Sequence, residues 1–219
     1  MTPSVRATET RIIVFARAPE AGRAKTRLIS VLGAAGAARL HDRMIERTLK
    51  TALDASIGPV ELWCEPCAEH PLMAAFVQRH SVVSATQCQG DLGQRMQQAA
   101  EACLASAGRV LLIGTDCPAM TPDHLKAAYH ALDRNDAVLI PAEDGGYVLL
   151  GLNRSDMHLF SDIPWGSDQV LAMTRQRLSS LGWRWLELPS LWDVDRPEDL
   201  ERLVASGLMQ ELAETVTEL

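Results

Sequence analysis

The sequence predicts an α/β fold around a buried, mostly parallel sheet, and three observations predict it. Short apolar runs without alternation recur along the chain, too brief for globular helices and apolar on both faces, as in Val110-Leu-Leu-Ile113. Between them lie longer stretches whose apolar residues repeat at helical spacing. Polar clusters containing aspartate and glycine follow several of the runs, where ligands collect at the carboxyl ends of strands in open α/β sheets. At 219 residues, with 47% hydrophobic and 22% charged side chains, the chain suits one domain over 1–219, with its core in 10–205 and a helical tail in 206–219.

The first strand is expected over 11–17, where Ile-Ile-Val-Phe-Ala is strongly β-prone. Arg17, Arg23, Lys25 and Arg27 then crowd around Pro19 and Gly22, which oppose early helix formation. Guanidinium forks, an ammonium and a glycine that lets the backbone come close make a phosphate-binding composition; the plain alternative is a solvated charged loop. It is not a Walker A loop, because Ala24 precedes the lysine and Pro19 stands where the earlier glycine belongs.

Residues 33–55 read as a long helix with Leu40, Met44, Ile45, Leu49 and Ala52 on one face. A strand at 59–64, a helix at 69–80 and a short third strand at 81–86, near a sheet edge, follow. Gly90-Asp91-Leu92-Gly93 opens a helix whose Met96, Ala99, Ala100 and Cys103 share a face. Asp91 caps this helix or, with Gly90 and Gly93 admitting the backbone to a flat ligand, meets a nucleobase; the two readings are compatible.

The fourth strand, 110–113, ends just before Asp116, which either starts a turn closed by Pro118 or offers a carboxylate to substrate or metal. Thr121-Pro122 starts a helix running to Leu132, and 136–141 is a fifth strand. Glu143-Asp144-Gly145-Gly146-Tyr147 interrupts before a strand at 148–152. By composition the cluster is a turn. Functionally, Gly145 and Gly146 would admit a sugar or phosphate, Asp144 would serve as a base, and Tyr147 would orient the ligand.

Ser167 is the expected cap of a helix over 169–181, and Trp165 either packs in the core or stacks on a substrate ring. After a strand at 183–188, Asp193 and Asp195 flank Val194 and share a face if extended, so that both carboxylates can reach one cation. The alternative is a capping box of Asp195 with Glu198 for a helix ending near Val204. An acidic helix over 208–219 closes the chain.

The formal net charge of −7 argues against a general nucleic-acid or membrane-surface binder, so any anion must be met locally. No apolar run approaches a membrane span or a signal h-region, and a cytoplasmic protein is expected. Five cysteines speak against a fully paired disulfide framework, and Cys64-Glu-Pro-Cys67 lacks the second CxxC of a zinc site. His41, His70, His80, His124, His130 and His158 are dispersed without metal-ligand spacing and receive no role.

Taken together, the loop at 16–28, Gly-Asp-Leu-Gly-Gln-Arg-Met at 90–96, Ile-Gly-Thr-Asp-Cys-Pro at 113–118, Asp-Gly-Gly-Tyr at 144–147, Pro-Trp-Gly-Ser at 164–167 and Asp-Val-Asp-Arg-Pro-Glu-Asp-Leu at 193–200 resemble the CofC-like glycosyltransferase family. That family is also called radical-SAM/selenodomain-associated transferase 1 and lies within the nucleotide-diphospho-sugar transferase superfamily. Arg196 departs from the Asp-x-Asp-Thr-Pro form of the last motif. The resemblance implies a GT-A-like three-layer α/β/α sandwich and a Mg²⁺ or Mn²⁺ ion between nucleotide phosphates and an aspartate matched by Asp116. Asp195, with Asp193 near it, would supply the second ligand.

Two reactions share this architecture. A glycosyltransferase moves a sugar from a nucleotide-sugar to an acceptor, and this is the leading expectation. A nucleotidylyltransferase of the CofC type joins a nucleoside monophosphate from a triphosphate to a phosphorylated small molecule, releasing pyrophosphate, and the dense basic loop suits its substrate. A nucleotide-binding module without catalysis is the third reading. It is disfavoured because binding alone does not need several carboxylates aimed at one cation.

Overall fold

The alternation of short apolar runs with amphipathic stretches produces the alternation of strands and helices. The computed structural model describes residues 9–210. Its strands are β1 (Thr10–Arg17), β2 (Val60–Glu65), β3 (Val83–Thr86), β4 (Arg109–Ile113), β5 (Ala137–Pro141), β6 (Tyr147–Leu152) and β7 (Trp185–Glu187). They form one seven-stranded sheet in the order β3-β2-β1-β4-β6-β5-β7. β1 pairs in parallel with β2 and β4, β2 with β3, and β5 with β7. Only β6 runs against its neighbours β4 and β5, because the short turn joining it to β5 can only reverse the chain.

The helices are α1 (Ile29–Ala55), α2 (Pro71–His80), α3 (Leu92–Leu104), α4 (Pro122–Ala131), α5 (Val170–Ser180) and α6 (Pro197–Ala205). Residues 12, 14, 111 and 113 point to one sheet face, where they pack on Ile45 and Leu49 of α1, Met73 and Phe76 of α2, and Leu125 of α4. Ile13, Val110 and Leu112 point to the other, against Met96 and Ala99 of α3 and Leu171 and Leu178 of α5. The three layers follow from strands that are apolar on both faces. A separate cluster joins Leu28, Leu40 and Met44 to Val194 and to Leu200 and Leu203 of α6. It ties the end of the basic loop to the late acidic segment.

Several expected ends shift. α1 carries a break at Gly33 (φ 69°, ψ 163°), so its regular run begins where the sequence suggests, preceded by a turn from Ile29. The N-cap of α5 is Gln169, not Ser167; the Ser167 hydroxyl is engaged by the Gln169 amide and the helix starts later. Asp195 and Glu198 do not form the box at α6. Arg196 is its N-cap, and the Asp199 carboxylate accepts from the Asp195 and Arg196 amides at 2.9 and 2.7 Å, so the Asp195 side chain is not used as a cap and pairs with Lys25 and Arg27. β3 is an edge strand as expected. Of the closing acidic helix, 208–210 are helical and 211–219 lie outside the described residues.

Candidate functional site

The basic loop leaves β1 and turns back through two left-handed residues, Gly22 (φ 83°) and Lys25 (φ 47°). Glycine adopts this conformation freely, whereas a lysine there is uncommon and is held by what its side chain reaches. The Lys25 side chain is only 3% exposed, and its ammonium lies 2.8 Å from Asp116 Oδ1 and 3.8 Å from Asp195 Oδ1 while donating to the Val194 carbonyl. The Val194 amide donates to the Asp116 carbonyl at 2.8 Å, so the segment after β4 and the late acidic segment are laced together. Val194 is fully buried, and its alternation with Asp193 and Asp195 turns both carboxylates toward one cavity.

Three adjoining cavities run past the carboxyl ends of the strands. The first is lined by Arg17, Arg23, Lys25, Arg27, His41, Asp116 and Asp195. A second shares Arg27 and Asp195 with it and adds Asp144, Asp168 and Asp193. The third shares Asp144, Gly166 and Ser167 with the second and is otherwise mainly apolar, with Phe15, Met96, Tyr147 and Trp165 among its walls. Basic, acidic and apolar surfaces thus succeed one another along a single trench.

Each cation of the loop already has a carboxylate partner. Arg17 pairs with Glu65 at 3.0 Å, Arg23 with Glu20 at 3.2 Å, and Arg27 with Asp195. A phosphate entering here would exchange these partners rather than find bare charge.

Gly90, Asp91 and Gly93 have local work. Asp91 Oδ1 accepts from the Gln94 amide at 2.9 Å, and the Gln94 side chain accepts from the Asp91 amide at 3.0 Å, a complete capping box. A Cβ at Gly93 would lie 2.5 Å from Trp165 Nε1, so this glycine lets the tryptophan close over the start of α3. Trp165 meets Tyr147 edge-on, with centroids 6.5 Å apart. The tryptophan packs on the core, as one of its two expected readings has it, and also lines a cavity wall.

In the β5–β6 turn, Asp144 Oδ1 accepts from the Gly146 amide at 2.9 Å, while Asp144 stays exposed between the acidic and apolar cavities. Burial pushes the Tyr147 phenol well above its ordinary value, so it is a hydrogen-bonding group and not a proton-transfer one.

Burial opposes ionisation of Asp116, but Lys25, His41 and Arg17 outweigh it and hold its pKa below the usual carboxylate value. Asp193 goes the other way. Burial, followed by the nearby Asp144 charge and, more weakly, Asp116, lifts it to about 6. An ionised Asp193 therefore costs stability above pH 6. The folded pKa exceeds the unfolded one, so this group's contribution is most favourable below the ordinary value of 3.8 and is lost as pH rises through 6. Asp193→Asn is expected to raise Tm at pH 8 and to leave it nearly unchanged near pH 4, as calorimetric scans across pH would measure.

His41 is the residue that sequence reasoning missed. It is 6% exposed, its Nε2 lies 3.1 Å from the Arg17 carbonyl, and its buried Nδ1 has no partner. Burial above all lowers its pKa, so the ring is neutral at pH 7, with Nε2–H donating to the carbonyl and Nδ1 an acceptor on the wall of the basic cavity. The available signal was its helical neighbourhood: residue 41 shares a face with Ala37, Ala38, Met44 and Ile45, all buried.

The oxygen donors present suit a hard cation. Asp116 and Asp195 converge on one positive group, and burial, followed by the Asp144 charge, raises the pKa of Asp193 beside them. Among the described residues no three His, Cys, Asp or Glu side chains are grouped to hold a metal ion by themselves. The cysteines are free, and burial pushes the Cys64, Cys103 and Cys117 thiols up to about 12. No helix among the described residues is long and apolar enough to cross a membrane.

Comparison with known proteins agrees with this architecture. A protein from Desulfovibrio desulfuricans G20, provisionally named a nucleotide-diphospho-sugar transferase, superposes with a TM-score of 0.85 at 28% identity, covering 96% of this chain and 98% of its own. The 4-diphosphocytidyl-2C-methyl-D-erythritol synthase of Anaerococcus prevotii DSM 20548 shares the fold (TM-score 0.61, 11% identity, 93% and 99% covered). So does the glucosyl-3-phosphoglycerate synthase of Mycobacterium tuberculosis (TM-score 0.53, 9% identity, 95% and 80% covered). No curated protein matches. By fold and by its 28% identical relative, the chain stands with the nucleotide-dependent transferases. The model of one family covers residues 48–167, more than half of the chain, which therefore belongs to DUF2064, uncharacterized proteins conserved in bacteria.

Proposed function

We propose that the protein is a metal-dependent transferase that takes a nucleotide-activated donor, and that its reaction is glycosyl transfer from a nucleotide-sugar to a small-molecule acceptor. The observation that carries this is the convergence of Lys25, Asp116 and Asp195 in the cavity that Arg17, Arg23 and Arg27 also line. The name of the D. desulfuricans relative favours the sugar donor.

In this reading the basic cavity takes the diphosphate, with Arg17, Arg23, Lys25 and Arg27 exchanging their present carboxylates for phosphate oxygens. Asp116 and Asp195 would hold Mg²⁺ or Mn²⁺, with Asp193 beside them, and such an ion would neutralise charge on the departing diphosphate. The acceptor lies toward the apolar cavity, against Tyr147 and Trp165. Its hydroxyl oxygen forms a bond to the anomeric carbon as the bond from that carbon to the diphosphate oxygen breaks. The hydroxyl proton passes to Asp144, whose Oδ1 is steadied by the Gly146 amide.

The alternative, nucleotidylyl transfer with loss of pyrophosphate, is favoured by the number of cations lining one cavity, which suits a triphosphate. One incubation separates the two: the protein with Mg²⁺ or Mn²⁺ and panels of nucleotide-sugars and nucleoside triphosphates, with the leaving product identified. A released nucleoside diphosphate supports glycosyl transfer, and pyrophosphate overturns it. Lys25→Ala is expected to weaken nucleotide binding by about 1–3 kcal/mol, the scale of a charge-assisted hydrogen bond. Unchanged affinity in a calorimetric titration would return the loop to a solvated charged segment.

A further inference from the structure

We propose that Lys25 is a tethered counter-ion: in the nucleotide-free protein its ammonium holds the position between Asp116 and Asp195 that a divalent cation must share, and it makes metal binding depend on nucleotide. This rests on the assignment of those two aspartates as the metal-binding pair.

The ammonium is nearly inaccessible, is bonded to Asp116 and to the Val194 carbonyl, and lies within ion-pair distance of Asp195. Its backbone is left-handed, a conformation lysine rarely adopts, so the chain turns specifically to bring this side chain inward. Arg27 offers a contrast in the same cavity: it pairs with Asp195 and is 61% exposed. A positive charge already seated between two carboxylates removes most of their attraction for a second one. The carboxylates become available when the ammonium is drawn to another anion. Phosphate oxygens entering beside Arg17, Arg23 and Arg27 are anions of the right kind, and they also bring ligands for the metal. Nucleotide and metal then each assist the other, by the same factor in either order.

The test is a titration of the full chain with Mn²⁺ alone, followed by electron paramagnetic resonance, so that it needs neither substrate nor turnover. Lys25→Met and Lys25→Gln are expected to bind Mn²⁺ more tightly than the parent protein, by roughly 20–150-fold, the range of strong site-to-site coupling. Arg27→Met is expected to tighten it by about fivefold or less, as for an exposed charge screened by solvent. The gain should vanish when Asp116→Asn is added to Lys25→Met. No tightening in folded Lys25 variants, an equal gain in Arg27→Met, or a gain that survives Asp116→Asn would each overturn the proposal. The product panel is a separate readout: pyrophosphate release would change the reaction assigned above and leave the counter-ion role standing.

Discussion

Asp116→Ala is expected to lower turnover by about 10²–10³ or more, the scale of losing a group aimed at developing charge, and to abolish metal-dependent nucleotide binding. The fold should survive. The side chain is 48% exposed and lies beyond the end of β4, outside every apolar cluster. What the segment after β4 contributes to the lacing of the loops is the Asp116 carbonyl, which accepts from Val194 and is untouched by the substitution. Lys25 loses its nearest carboxylate but keeps the Val194 carbonyl and Asp195. Circular dichroism should therefore stay close to the parent and Tm should fall only by the loss of the Lys25–Asp116 pair, while nucleotide titrations with Mn²⁺ go flat. Asp116→Asn separates charge from shape, because it keeps the volume and loses the anion; both variants should fail alike. Full activity in either would remove Asp116 from the mechanism.

Residues whose role is set by local chemistry were legible in the sequence, and residues whose role is set by a distant neighbour were not. The runs around Ile13, Leu111 and Leu139 had to be buried strands, because nothing else buries four or five consecutive apolar side chains so briefly. Asp193 and Asp195 could be placed on one face from alternation alone, and the buried Val194 between them is the reason that face turns to the cleft. The cap of α6 could not be read the same way. Asp195 with Glu198 and Arg196 with Asp199 have the same spacing, and the choice between them follows from where Val194 must be buried. His41 has an ordinary neighbourhood in sequence; only the return of β1 beside α1 brings the Arg17 carbonyl to its ring. The pairing of Arg17 with Glu65 and of Arg27 with Asp195, 48 and 168 residues away, is likewise a property of the assembled sheet, whereas Arg23 pairs locally with Glu20.

The tightest backbone constraint in the candidate acceptor region is Gly145, and Gly145→Ala is expected to damage both stability and activity. Its φ of +93° lies where an alanine is strained, which costs about 1–3 kcal/mol. Its Cβ would stand 2.3 Å from the Asp168 carbonyl oxygen and 2.7 Å from the Asp168 Cα, backbone atoms that cannot rotate away. The Leu171 amide at the start of α5 donates to the Gly145 carbonyl at 2.9 Å, so relieving the clash pulls the β5–β6 turn off that helix. A total loss of about 2–4 kcal/mol follows from strain and overpacking together. The same movement separates Asp144 from Gly166 and Ser167, which jointly form the wall between the acidic and apolar cavities. At a temperature where the variant remains folded, kcat/KM should still fall by about 10²-fold, the cost of displacing a reacting group by an ångström. Gly146→Ala is the matched control. Its φ is not in the left-handed region, and the nearest atom to its Cβ is Asp144 Oδ1 at 3.2 Å, the end of a side chain that can turn. It should leave Tm nearly unchanged and act only through the Asp144 rotamer. Equal effects of the two substitutions would mean that the turn is not held by α5, and that Asp144 owes its position to something other than the close approach of Gly145 to Asp168.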